Sequence, residues 1–223
     1  MGDEERLHAT DRQGNYLKTA PRGELLREMR TYARAHGESP FAVPVVHVLL
    51  LTSDGQIRLV QRGDKSENPF LWDKACGGHV VCPESGLPKA RFIENACKEL
   101  DEEIGVEVCR VADDAWHYLE LLKDSRIDLT ETALVRMIDV NPWQGSFCRA
   151  REGTPWLKRH NLVVFAGLYD GPLQFNDGEA INSRDVDPKW LLGDLQENPW
   201  NYADGVRGFM TRYYHLMLSG LQR

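Results

Sequence analysis

Apolar and polar positions alternate along the 223-residue chain in a way that predicts short strands bracketed by helices. Leu7–Lys18 carries a turn signal at Arg12-Gln13-Gly14-Asn15 and predicts a small hairpin. After Pro21-Arg22-Gly23, the spacing of Leu25, Leu26, Met29 and Ala33 predicts a helix over Glu24–Ala35. The cluster His36-Gly37-Glu38-Ser39-Pro40 ends it. Val43–Leu51 and Ile57–Gln61, joined at Ser53-Asp54-Gly55, predict two strands and a tight turn. Gly77–Val81 predicts a short strand. Pro88–Ile104 has the strongest helical pattern, with Gly105 as its left-handed terminator. Further strands are predicted at Val106–Val111, Ala115–Leu122, Thr132–Ile138, Leu162–Tyr169 and Pro172–Phe175. A helix opens at Val186-Asp187-Pro188 and runs through Leu195. A closing helix over Gly205–Leu218 places Val206, Phe209, Met210, Tyr213 and Met217 on one stripe. The resulting expectation is a mixed α/β sandwich.

Composition narrows the function. The chain is 42% hydrophobic and 27% charged, as expected of a globular protein. Its net charge of -7 argues against binding long nucleic acid through a general field. A small phosphorylated ligand remains compatible, because a bound divalent cation reverses the local sign. The five cysteines (Cys76, Cys82, Cys97, Cys109 and Cys148) form no Cys-x-x-Cys pair and are expected as reduced thiols. The acidic start, MGDEER, lacks a signal-peptide pattern, and Val43–Leu51 is too short to cross a bilayer. The expectation is therefore a cytoplasmic protein without a membrane partner, monomeric or homodimeric.

The candidate chemistry lies at the end of the strongest helix. At about 100° per residue, Glu99, Glu102 and Glu103 fall within an arc of about 100°. An isolated E-x-x-E-E is usually a solvated face. Here the like charges repel at i,i+3 and i,i+4, and they stand where the helix dipole disfavours anions. Hard carboxylate oxygens gathered on one helical face suit Mg²⁺ or Mn²⁺.

Gly78-His79-Val80-Val81-Cys82-Pro83-Glu84 followed by Lys98–Val106 resembles the Nudix box, G-x5-E-x7-R-E-U-x-E-E-x-G-U. Gly78 and Glu84 match its first half; Glu99, Leu100, Glu102, Glu103, Gly105 and Val106 match its second. Two departures stand out. Thirteen residues rather than seven separate Glu84 from the basic residue, and that residue is Lys98 in place of arginine. Segments His47–Arg62, Leu71–Gly78 and Pro188–Tyr214 also resemble the subgroup that contains isopentenyl diphosphate isomerase. The resemblance implies a Nudix α/β/α sandwich with a mixed β-sheet. It further implies a hairpin-and-helix extension over residues 1–40 and a Nudix domain with C-terminal helices over residues 41–223.

The implied activity is Mg²⁺-dependent hydrolysis (Mn²⁺ also suits) of a diphosphate linkage in a nucleoside diphosphate-X or related small phosphorylated substrate. Glu99, Glu102 and Glu103 are the implied metal ligands and catalytic residues, with the Gly78 carbonyl completing the coordination. Glu102 or Glu103 also touches the attacking water on this reading. Glu84, Lys98 and Gly105 are structural in the box; direct ligation by Glu84 is the lesser alternative. Arg62 meets a substrate phosphate or forms a surface ion pair. Candidate bases outside the box are Glu131, Glu152 and Glu179. His47 and His79 either bind a second metal, as in the isomerases, or are buried and hydrogen-bonded. Cys76 is expected as a packed small hydrophobe. Trp143, Phe147 and Trp156, in an insert over Asn141–His160, either stack a base or pack the loop down. Two alternatives remain: an isomerase-like enzyme and a non-catalytic nucleotide-binding regulator. The isomerase requires a cysteine and metal-linked glutamates, but Cys76 stands one place early and Lys158 and His160 occupy the glutamate positions. The regulator typically loses box glutamates, which this chain keeps.

Overall fold

The computed structural model describes residues 5–81, 89–149 and 155–215. Strands β1 (Arg6–Thr10) and β2 (Tyr16–Pro21) form the expected hairpin, and helix α1 (Arg22–His36) follows. Gly37, at φ 76°, ends α1 by returning its N–H to the Ala33 carbonyl. Leu25, Met29 and Ala33 are buried, so the stripe read from spacing is the packed face.

A seven-stranded mixed sheet forms the centre. Its strands are β3 (Val43–Leu51), β4 (Ile57–Arg62), β5 (Trp72–Asp73), β6 (Val108–Ala112), β7 (Thr132–Cys148), β8 (Trp156–Leu168) and β9 (Ala180–Val186). The order is β5-β4-β3-β8-β7-β6, with β9 on β4. β3 runs parallel to β8 and β6 parallel to β7; the other pairs are antiparallel. β3 and β4 share one register pair, Leu51–Ile57, after which β4 pairs with β9 and β5. The edge of β3 left free is taken by the 76–80 segment. Val46 N–H donates to the Gly78 carbonyl and Val48 N–H to the Cys76 carbonyl, each at 3.0 Å.

Alternation along β3 divides the core into two layers. Val45, Leu49 and Leu51 face a cluster that includes Leu7, Leu25, Met29, Leu191, Val206 and Phe209. Val46, Val48 and Leu50 face the other side, against Phe92, Ala96, Leu100 and Ile104 of helix α2 (Lys89–Ile104). Helices on both faces of a mixed sheet make the α/β/α sandwich that the resemblance implied. The hairpin and α1 share the first layer. Helices α4 (Pro188–Glu197) and α5 (Asp204–Arg212) cover the same face. Among the described residues no helix is long and apolar enough to cross a membrane.

Several elements differ from expectation. Ala115–Leu121 is a helix, α3, rather than a strand: the Asp114 side chain caps it by accepting the His117 N–H, and Tyr118 is fully buried. Pro172–Phe175 is not a strand. The 77–81 segment has only a bridge from His79 to Val45. The insert over 141–160 is largely the continuation of β7 and β8 rather than a loop. β5 and β9 were not expected. The closing helix α5 ends at Arg212, and the rest of the predicted span from residue 216 lies outside the described residues.

Candidate active site

Helix α2 is fastened to the sheet by Leu100 and Ile104 and terminated at Gly105, φ 69°. Gly105 N–H returns to the Asp101 carbonyl at 3.0 Å and Val106 N–H to Leu100 at 2.9 Å. This fixes the last two turns, which present the three glutamates to a cleft of about 310 Å³.

Glu99 is buried and accepts from Asn95 Nδ2 at 3.2 Å. Its carboxylate lies against the Gly78 backbone, so a side chain at position 78 would force the Glu99 carboxylate to move. Glu103 accepts the Gly77 N–H at 3.3 Å. Burial raises both carboxyls above the usual range. Glu103 reaches about 7 because burial and Glu99 outweigh the nearby Lys74. Glu102 is half exposed and pairs with Lys98 Nζ at 2.9 Å. Lys98 thus braces Glu102. Glu84, which the resemblance makes structural in the box, lies outside the described residues, as do Cys82 and Glu152.

The rest of the cleft lining is basic and imidazole-rich. Arg62 donates to Asp73 Oδ2 at 3.1 Å and to the Glu67 carbonyl at 3.2 Å. Lys65 pairs with Glu179, and buried Lys158 pairs with Glu67 at 2.7 Å. Lys74 is also buried in this lining. His47 and His79 converge with His160, at ring-centroid distances of 6.4 Å (His47–His160) and 6.5 Å (His79–His160). Burial, then Lys74, hold His47 well below its usual value; burial, then Lys158, do the same for His79. Burial, Lys158 and Lys74 push His160 down to about 3, so all three imidazoles are neutral at pH 7. His79 Nε2 and His160 Nδ1 have no hydrogen-bond partner among the described residues.

The donor set fits a divalent cation in chemistry: the buried Glu99 and half-buried Glu103 carboxylates, with raised proton affinity, are the groups that a cation would relieve. Among the described residues, however, no three His, Cys, Asp or Glu side chains stand close enough together to hold one. Glu102 is turned to Lys98, and the Gly78 carbonyl is already engaged by Val46.

The other singled-out residues separate clearly. Glu179 lines the cleft, whereas Glu131 is exposed in the turn before β7 and outside it. Cys76 is buried in the α2-side core, where burial pushes its thiol up. Trp143 donates to Glu38 at 3.0 Å, Trp156 is buried in the core, and Phe147 is half exposed; none of the three lines the cleft. Lys65, Glu67, Lys74 and Lys158 were missed as cleft residues. For Lys74 a signal was available, since Asp73-Lys74 places two charges between Trp72 and the Ala75–Gly78 turn, a stretch expected to pack.

No family model matches the chain, and no curated protein matches it. Solved structures do. DR0079 from Deinococcus radiodurans is 16% identical, with a TM-score of 0.59 over 94% of this chain and 99% of its own. A NUDIX hydrolase from Alicyclobacillus acidocaldarius is 14% identical, covering 80% of this chain and 96% of its own at TM-score 0.48. A MutT protein from Methanosarcina mazei Go1 is 18% identical, covering 77% and 92% at 0.47. What the chain shares with the Deinococcus protein, at 16% identity, is the fold.

Proposed function

We propose that the protein is a Nudix-type hydrolase that cleaves the diphosphate linkage of a small phosphorylated substrate, such as a nucleoside diphosphate-X, with Mg²⁺ or Mn²⁺. One observation carries the reading: buried Glu99 and half-buried Glu103 stand over Gly77-Gly78 in a cleft that Arg62, Lys65, Lys74 and Lys158 also line. Glu99, Glu102, Glu103 and the Gly78 carbonyl would hold the cation once Glu102 leaves Lys98 and the carboxylates draw together, and the cation would supply positive charge for phosphate oxygens and acidify water. Asn95 and the Gly78 backbone orient Glu99, and the Gly77 N–H orients Glu103. Arg62, fixed between Asp73 and Glu67, lines the cleft, where it would meet a phosphate. Glu102 and Glu103 are the box candidates for handling the water's proton, and Glu179 is the loop candidate. We assign residues 41–223 to the catalytic unit, with residues 1–40 as an extension that adds Glu5 and Arg22 to the cleft rim.

The isomerase alternative is disfavoured by Cys76, whose thiol packs in the core, and by Lys158 and His160, which offer no carboxylate. The test is a panel of nucleoside triphosphates, nucleotide sugars, dinucleoside polyphosphates, CDP-alcohols and prenyl diphosphates, assayed with each metal. Hydrolysis of at least one substrate class is expected. No hydrolysis with either metal, or catalytic conversion of isopentenyl to dimethylallyl diphosphate, overturns the reading.

A further inference from the structure

Among the described residues every cation lining the cleft has a carboxylate partner, but one pair is looser than the rest. Arg22 pairs with Glu5 at 2.9 Å, Arg62 with Asp73 at 3.1 Å, Lys98 with Glu102 at 2.9 Å, Lys158 with Glu67 at 2.7 Å, and Lys65 with Glu179. Lys74 holds the loose one. Its side chain is 8% exposed, and its Nζ makes no hydrogen bond among the described residues. The nearest carboxylate oxygen, Asp73 Oδ1, is 3.6 Å away and already accepts the Lys74 backbone N–H at 2.9 Å. The other oxygen of Asp73 serves Arg62.

The position is also confined. A Cβ on Gly77 would come within 2.9 Å of Lys74 Cε, so the side chain is held against the Gly77-Gly78 turn on which Glu99 and Glu103 rest. Charged and titratable groups around it are Asp73, Arg62, Lys65, Glu103, Cys76, His47 and His160. An ammonium held only by a 3.6 Å ion pair keeps donors that an anion in the cleft can take. A metal cation cannot be that ligand, whereas a phosphate oxygen can.

We propose that Lys74 is a substrate-contacting residue whose ammonium donates to a nonbridging oxygen of the diphosphate. The proposal rests on the diphosphate reading of the cleft. It makes Lys74 a binding determinant that a structural ion pair with Asp73 would not be, because binding and stability then move in opposite senses.

The experiment uses the full chain and inorganic diphosphate as probe, titrated calorimetrically with Mg²⁺ present, beside thermal melts without ligand. Lys74→Met is expected to weaken diphosphate binding at least about tenfold, the size of one charge-assisted hydrogen bond. The unliganded melting temperature is expected to hold or rise. Lys74→Gln, which keeps a polar head should methionine not fold, is expected to show a smaller loss. Wild-type affinity in both variants, or a lowered melting temperature with affinity retained, overturns the role of Lys74 alone. If the wild-type protein neither binds diphosphate nor hydrolyses any substrate of the panel, the underlying reading fails and this one with it.

Discussion

The two walls of the cleft are built by opposite means. The acidic wall comes from five consecutive residues of one helix, Glu99–Glu103, where the α-helical period sets the relative placement of the carboxylates. The basic wall comes from the end of β4 (Arg62), the segment joining β4 to β5 (Lys65), the residue after β5 (Lys74) and β8 (Lys158), held together by ion pairs across the fold. On the first wall charge is concentrated against the local preference of the helix. On the second it is neutralised pair by pair, with Lys74 the most loosely paired. A wall that accumulates charge is built for a ligand; a wall that cancels it is built first for the fold.

The sharpest way to break this contrast is to remove charge without volume from the acidic wall. Glu103→Gln should lower turnover of the cognate substrate by about 10²–10³-fold while leaving the melting temperature unchanged or higher. Near-wild-type turnover would mean that the helix face is not catalytic. The basic wall should respond in the reverse sense. Glu67→Ala strands Lys158, whose side chain is 5% exposed, and should cost about 3–5 kcal/mol in urea unfolding. The same pair sets a pH dependence. Burial raises the Glu67 carboxyl, but Lys158 and Arg30 outweigh it and the net shift is downward. Its stabilisation is therefore fully present above the unfolded value of about 4.3 and is lost as pH falls through the lower folded value. Unfolding curves between about pH 3 and 6 should show a shallower acid limb in Glu67→Ala than in the wild type. The smallest effect is expected for Lys98→Ala. Its pair with Glu102 is half exposed on both sides, and its loss should change stability by only about 0.3–0.5 kcal/mol. A shift of several kcal/mol there would show that Lys98 braces more than Glu102.

The contrast also explains what could be read from sequence. The acidic wall was legible because helical spacing converts positions 99, 102 and 103 directly into one face, and α2 ends at Gly105 as expected. The β3–β4 turn and the α1 stripe were legible for the same local reason. The basic wall was not. Lys158 and His160 reach the cleft only through the parallel register of β8 on β3, and Lys65 and Lys74 only because β4 leaves β3 after one pair. Polar residues on both faces hid β9, whose sequence is AINSRDV, and the far ends of β7 and β8. The mistaken strand at 115–122 came from reading alternation in AWHYLELL without weighing the Asp114 cap in front of it.

The central parallel pair has a consequence for the order of folding. Val43 lies opposite His160, and the pairing extends to a hydrogen bond from Ser53 N–H to Asp170 across 117 residues. Closing a loop of that length costs about 4 kcal/mol of chain entropy before any contact repays it. Helix α2 needs no such closure to bring its glutamates onto one face. During synthesis the acidic face is therefore complete in sequence before β8 has emerged, and the cleft acquires Lys158 and His160 only when nearly three quarters of the chain is available. Half of the site is a local property of the polypeptide; the other half is a late product of its topology.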